Sequence, residues 1–272
     1  MSQSTTMQKP FFDWLTVISI AAIAISFTVG FHEGIHALTC LTVEGQLLEY
    51  SALYESCASS TVFQVKIVAG SAPTFNLFAG VILWLILRRT KNVHPGTWFF
   101  IWIFMLMNWC YGAGYFIFSG SANIGDWAVV INGWEPSWLW RILMVLFGTM
   151  LFILFIRLSL NEIGKVIGGN SDEHIKKANQ LFILSYVTSF AVVLSAGFFC
   201  PYGVFSLPVT AGLAAVIGAL SPMLWMVRWF RTDNIAKLEK EPLTIDRNWT
   251  WISAAVIVVF MYVFILGRTI YF

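Results

Sequence analysis

The sequence predicts an all-α, polytopic membrane fold with seven transmembrane helices, and three observations carry that prediction. Hydrophobic residues make up 58% of the 272 residues and charged residues only 11%, whereas a soluble domain is about 25% charged. Seven separate runs each hold about 20 mainly apolar residues, the length that crosses a bilayer. The 13 Trp, 8 Tyr and 24 Phe suit interface belts as well as core packing. The net charge of +2 is small and scattered, so no nucleic-acid partner is expected. The lipid bilayer is the expected surrounding.

The expected spans run roughly over 14–41, 62–87, 97–119, 137–158, 180–199, 204–229 and 249–267. The first is too long for a signal-peptide core, and no small-residue cleavage site follows it. Only the short "CPYG" at 200–203 separates the fifth from the sixth, so six spans with one irregular segment is the alternative. Loop charge sets the orientation. Arg88, Arg89 and Lys91 follow the second span, and Arg157, Lys165, Lys176 and Lys177 flank the loop after the fourth. Arg228, Arg231, Lys237, Lys240 and Arg247 fill the loop after the sixth. The alternate loops, 42–61 and 120–136, hold Glu44, Glu49, Glu55, Asp126 and Glu135 with no Lys or Arg. This places the N-terminus inside, the C-terminus outside, and the chain in the cell membrane. The inner segments 170–180 and 232–242 are expected as solvated charged linkers rather than surface helices. Ser171 or Asp172, and Thr232 or Asp233, are the caps such helices would use.

Within the first span, "FHEGIHALTC" at 31–40 places three ionisable groups at membrane depth. Such groups are expensive in hydrocarbon and point to a functional site. "HEGIH" fits H-E-x-x-H. On a helix the i and i+4 positions share a face, so His32 and His36 are placed to bind one metal ion, with Glu33 beside them as a base. Zinc suits two imidazoles and a carboxylate with one position open for water or substrate. It makes bound water acidic, with a pKa of about 7, and polarises a carbonyl. With four His and nine Glu in the chain, chance would produce the pattern on the order of once in 500 such chains. The competing reading, a pair of histidines bonding neighbouring helices, leaves Glu33 unexplained.

A third ligand is required. His32 lies about 18 residues into its span, roughly 27 Å along it and nearer the outer side. His94 and His174 fall on the inner side, so the ligand is expected among Glu44, Glu49, Glu55, Asp126 and Glu135. Asp126 is preferred, because Gly114, Gly120 and Gly125 around it permit irregular backbone that turns back into the membrane. Trp127 would then pack at the interface. The alternative for Asp126 is a cap on the helix beginning near Trp127.

"AGSAPTFNLFAG" at 69–80 is a second polar signal. Its small residues allow close helix approach, and Pro73 frees a backbone carbonyl within the span. Asn76 matches His32 in depth, and is read as positioning substrate or orienting a metal ligand from behind. Asn108 is read as a packing contact, and Lys66 and Arg141 as snorkelling from the outer ends of spans. No Cys-x-x-Cys pair exists among the four cysteines, which argues against a cysteine zinc site. A Cys40–Cys57 disulfide is open to the chain in an oxidising compartment.

These residues resemble the site-2 protease family of intramembrane zinc metalloproteases. The resemblance rests on "HEGIH" in the first span, on "AGSAPTFN", similar to the family's Gly-Pro-x-x-Asn element, and on a downstream Asp near a later span. It covers roughly residues 14 to 140. It implies a core of residues 1–140 and further helices of unassigned role over 141–272. It also implies zinc on His32, His36 and Asp126, Glu33 as base, and cleavage of transmembrane protein substrates within or beside their spans. The chain departs from the family in its Gly125-Asp126-Trp127 context, where the family has Asn-Pro…Asp-Gly, and in placing the motif nearer the outer face. The rival expectation is a non-catalytic metal-binding membrane protein, a transporter or a scaffold. A transporter would show matching broken helices in two halves, and the sequence shows no such symmetry.

Overall fold

The structure, a computed structural model, describes residues 12–90, 93–167, 172–232 and 243–272. Helix α1 (Trp14–Thr42) starts at Asp13, whose carboxylate accepts from the Thr16 amide and hydroxyl, both at 2.9 Å. After α1 the chain doubles back in a hairpin, β1 (Gln46–Tyr50) and β2 (Glu55–Ala58). A reciprocal Thr61–Gln64 capping box opens α2 (Val62–Arg89), and Pro95 opens α3 (Pro95–Ala122). There follow α4 (Asp126–Ile131), α5 (Ser137–Gly164), α6 (Asp172–Gly197), α7 (Leu207–Ala219), α8 (Pro222–Trp225) and α9 (Val227–Thr232). Last comes α10 (Trp249–Phe260), which runs on through a π turn (Met261–Ile265) and a 3-10 turn (Leu266–Arg268) into β3 (Ile270–Tyr271).

Seven helical stretches among the described residues are long and apolar enough to cross a membrane. The chain is an all-α, multi-pass membrane protein, and the six-span arrangement is not the one formed. The sixth span is broken between α7 and α8, where Pro222 has no amide hydrogen to continue the ladder, and again at Met226 between α8 and α9. Outward faces are apolar, as lipid requires: Trp138, Leu146, Val256 and Ile257 are each more than 60% exposed.

Residues 172–180 form the first turns of α6 rather than the expected solvated linker. Ile175 and Ala178, three apart, are both buried. That helical spacing of apolar residues inside a polar segment ties it to the bundle. Ser171 and residues 233–242 lie outside the described residues.

Helix α3 is the centre of the bundle, packed on α1, α2, α5 and α7. Gly112 permits a close approach of α2, since a Cβ there would stand 2.8 Å from Leu77 and 3.0 Å from the Pro73 carbonyl oxygen. One hydrophobic core joins residues on both sides of position 140; Trp109 of α3, for example, stacks on Phe155 of α5 at 4.6 Å. The three strands were not expected. They form one antiparallel sheet in the order β2-β1-β3, which brings Ile270 and Tyr271 to Tyr50 and Glu49. With five, four and two residues, the strands are too short for an alternating pattern to stand out in a sequence. The Cys40–Cys57 disulfide forms, and it ties β2 to the last turn of α1.

Candidate metal centre

His32 and His36 lie one turn apart on α1, both buried, with ring centroids 4.9 Å apart. Each Nδ1 is held from behind by a carbonyl oxygen. Nδ1 of His32 lies 2.6 Å from Oδ1 of Asn76, and Nδ1 of His36 lies 2.7 Å from the Val68 backbone oxygen. Both acceptors belong to α2, so this helix sets the tautomer and the ring plane of both histidines. Tyr115 of α3 stacks on the other face of His32 at 4.8 Å.

Asp126 arrives from the far end of α3. The helix ends at Asn123 in the left-handed region (φ 58°), and Gly125 follows at φ 86°. That conformation suits glycine, and it turns α4 back against α2 and α3. Trp127 then stacks on Phe116 at 4.2 Å, half-buried against the bundle. Lys66 does more than snorkel. Its Nζ donates to the Asn132 carbonyl at 2.6 Å and sits over the Trp134 ring, so it fastens the C-terminal end of α4. Arg141 likewise binds the last carbonyls of α3, at Gly120 and Ser121. Asp126 is the first residue of α4 itself, with Gly125 in the capping position. Its Oδ2 stands 3.1 Å from Nε2 of His32 and 3.4 Å from Nε2 of His36.

An imidazole that donates from Nδ1 presents a lone pair at Nε2. Two such lone pairs and a carboxylate oxygen converge, all within 4.8 Å of one another. Electron-rich atoms at that spacing repel unless a cation lies among them, either protons on the rings or a metal ion. Two imidazoles and a carboxylate, with the imidazoles oriented by carbonyls behind them, fit a divalent transition ion.

Asn76 is the residue behind His32, and it continues inward. Its Nδ2 donates to Oδ1 of Asn108 at 2.9 Å, and Asn108 in turn donates to the Phe104 carbonyl at 2.8 Å. Asn108 is therefore a packing contact that also fixes Asn76. Pro73 removes the intrahelical donor for the Ala69 carbonyl, and Ala69 lines the same cavity as the histidines.

That cavity measures about 320 Å³. Glu33 lines it, buried, and its carboxylate makes no hydrogen bond among the described residues. The remaining acidic candidates divide. Glu49 accepts from the Tyr202 hydroxyl at 2.6 Å, and Glu135 caps the Ser137 amide beside a different cavity. Glu44 sits in the turn after α1 at φ 60°. Glu55, on β2, does line the cavity. His94 caps the opposite end of α3, so it is as remote as expected. Sequence reasoning missed two parts of the wall. Leu53 and Tyr54 come from the hairpin turn, and Pro208, Ala211 and Gly212 from α7; neither stretch carries a motif.

No protein-family model, curated protein or solved structure matches the chain. The functional reading therefore rests on the residues themselves.

Proposed function

We propose that the protein is a zinc-dependent intramembrane endopeptidase of the site-2 protease type, hydrolysing peptide bonds within or beside the transmembrane segments of other membrane proteins. The observation that carries the reading is the convergence of the two Nε2 lone pairs and the Asp126 carboxylate, with Glu33 in the same cavity. A divalent ion held by His32, His36 and Asp126 would supply an acidified water and a polarised carbonyl. Glu33 accepts the proton of the attacking water as the new oxygen–carbon bond forms. It then returns that proton to the amide nitrogen as the carbon–nitrogen bond breaks. Asn76 holds His32 in the tautomer this requires, and Asn108 holds Asn76. A helical substrate hides its carbonyls in its own hydrogen bonds, so the scissile segment enters unwound. The loop-charge asymmetry supports a cytoplasmic N-terminus in the cell membrane, with the cavity toward the outer face.

Metal analysis of the detergent-purified chain tests this directly. About one zinc per chain is expected in the wild type and in Glu33→Gln, with loss in His36→Ala and Asp126→Ala. Cleavage of single-span substrates should fall at least ~100-fold in Glu33→Gln. Metal-free wild-type protein, or His36→Ala binding as the wild type does, would sink the reading. A non-catalytic scaffold instead predicts that Glu33→Gln changes nothing.

A further inference from the structure

Glu55 is the one cavity carboxylate that the proposed chemistry leaves without a task. It sits on β2, in the wall that also presents His32, Glu33, His36 and Asp126. Its Oε2 is buried and has no hydrogen-bond partner among the described residues. A buried, unpartnered acceptor is destabilising, the more so when it carries charge. The charged groups that act on it are His36, Glu33 and Asp126, two of them carboxylates. Burial, opposed by His36 and assisted by Glu33 and Asp126, pushes its carboxyl up to about 7. The nearest basic residue of the neighbouring α2 wall, Lys66, is engaged with Asn132 and Trp134.

The strand that carries Glu55 is held in place. Tyr50 pairs with it across the hairpin, and the Tyr50 hydroxyl donates to the Gly30 carbonyl of α1 at 3.1 Å. Two residues on, the Cys40–Cys57 disulfide ties the strand to α1. The same wall carries the aliphatic Leu53, Val65, Val68 and Val129, while the Ser59 hydroxyl is engaged with Cys57 Sγ at 3.3 Å. An unpaired carboxylate in a wall that also offers aliphatic side chains matches an aliphatic stem carrying a cation.

We propose that Glu55 is a specificity residue that pairs with a Lys or Arg side chain of the substrate, close to the bond presented to the metal centre. The assignment rests on the cavity being a peptide-binding site, as the protease reading requires.

The test uses the full chain in detergent with Glu33→Gln as background, so that binding is read without turnover. The probes are N-acetylated apolar peptides carrying one Lys, one norleucine or one Glu, with that residue scanned along the peptide. Acetylation removes the terminal amine as a rival cation. At one scan position the Lys peptide is expected to bind about tenfold more tightly than its norleucine counterpart. Adding Glu55→Gln, a change of nearly equal shape, should abolish the preference, and Glu55→Lys should shift it to the Glu peptide. Equal binding of Lys and norleucine peptides at every position, no binding by any peptide, or a Lys preference that survives Glu55→Gln would each overturn the proposal. Zinc content measured on the same samples judges the metal centre separately. Zinc retained without a charge preference removes only the role of Glu55. A Lys preference without zinc removes only the hydrolase.

Discussion

Two carboxylates at opposite ends of the bundle have opposite surroundings. Glu162, at the end of α5, is closed off by its own chain. Its Oε2 accepts from Lys165 Nζ at 3.0 Å and its Oε1 from Trp84 Nε1 at 3.3 Å, with Arg88 at 3.9 Å. Among the described residues, Asp126 faces two imidazole nitrogens, and Glu55 leaves an oxygen unpaired. Both environments are polar islands in an apolar bundle, yet only the first is complete. Buried polar groups are normally satisfied, so those that the chain leaves facing one another mark where a ligand belongs. Glu162 is thus read as a structural staple, and the cluster around Asp126 as a site.

Three changes break or sharpen that contrast. The largest effect is expected at the outer cluster from Asn76→Leu, which removes the acceptor behind His32. Metal affinity should fall about 10–100-fold while the fold persists, measured by competition with a chromophoric chelator; unchanged affinity would mean that Asn76 serves packing alone. Next, Glu162→Gln leaves Lys165 and Arg88 without their partner. It should lower stability by about 1–3 kcal/mol and leave zinc content unchanged, read by thermal unfolding and metal analysis. If it released zinc, the two ends would be coupled and the contrast would fail. The third change is read as a pH slope. The Glu55 carboxyl ionises near 7 in the folded chain and near its ordinary value of 4.5 when unfolded. The unfolded chain therefore ionises first, and the folded state loses stability as pH rises from about 4.5 through 7. Glu55→Gln should flatten that slope in the metal-free protein, by at most ~3–4 kcal/mol between the two ends. An identical pH profile in both proteins would show that Glu55 is not held as described.

Much of this molecule was legible in the residues. The spans were, because lipid demands long apolar runs. His32, Glu33 and His36 were, because a helix of fixed pitch puts i and i+4 on one face whatever surrounds it. Asn76 was legible by depth alone, since two straight helices of known rise bring equal depths together. What the sequence alone determined about this protein is therefore its all-α multi-pass class, the motif face of α1 and the short range of acidic residues able to complete it. The tertiary structure decided which one does. Asp126 rather than Glu49 or Glu135 meets the histidines, because Gly125 and the Lys66–Asn132 contact turn α4 inward while Tyr202 engages Glu49. It also decided the roof, since the β2-β1-β3 sheet joins residues more than 200 positions apart, and no local pattern encodes a pairing whose halves are each too short to fold alone.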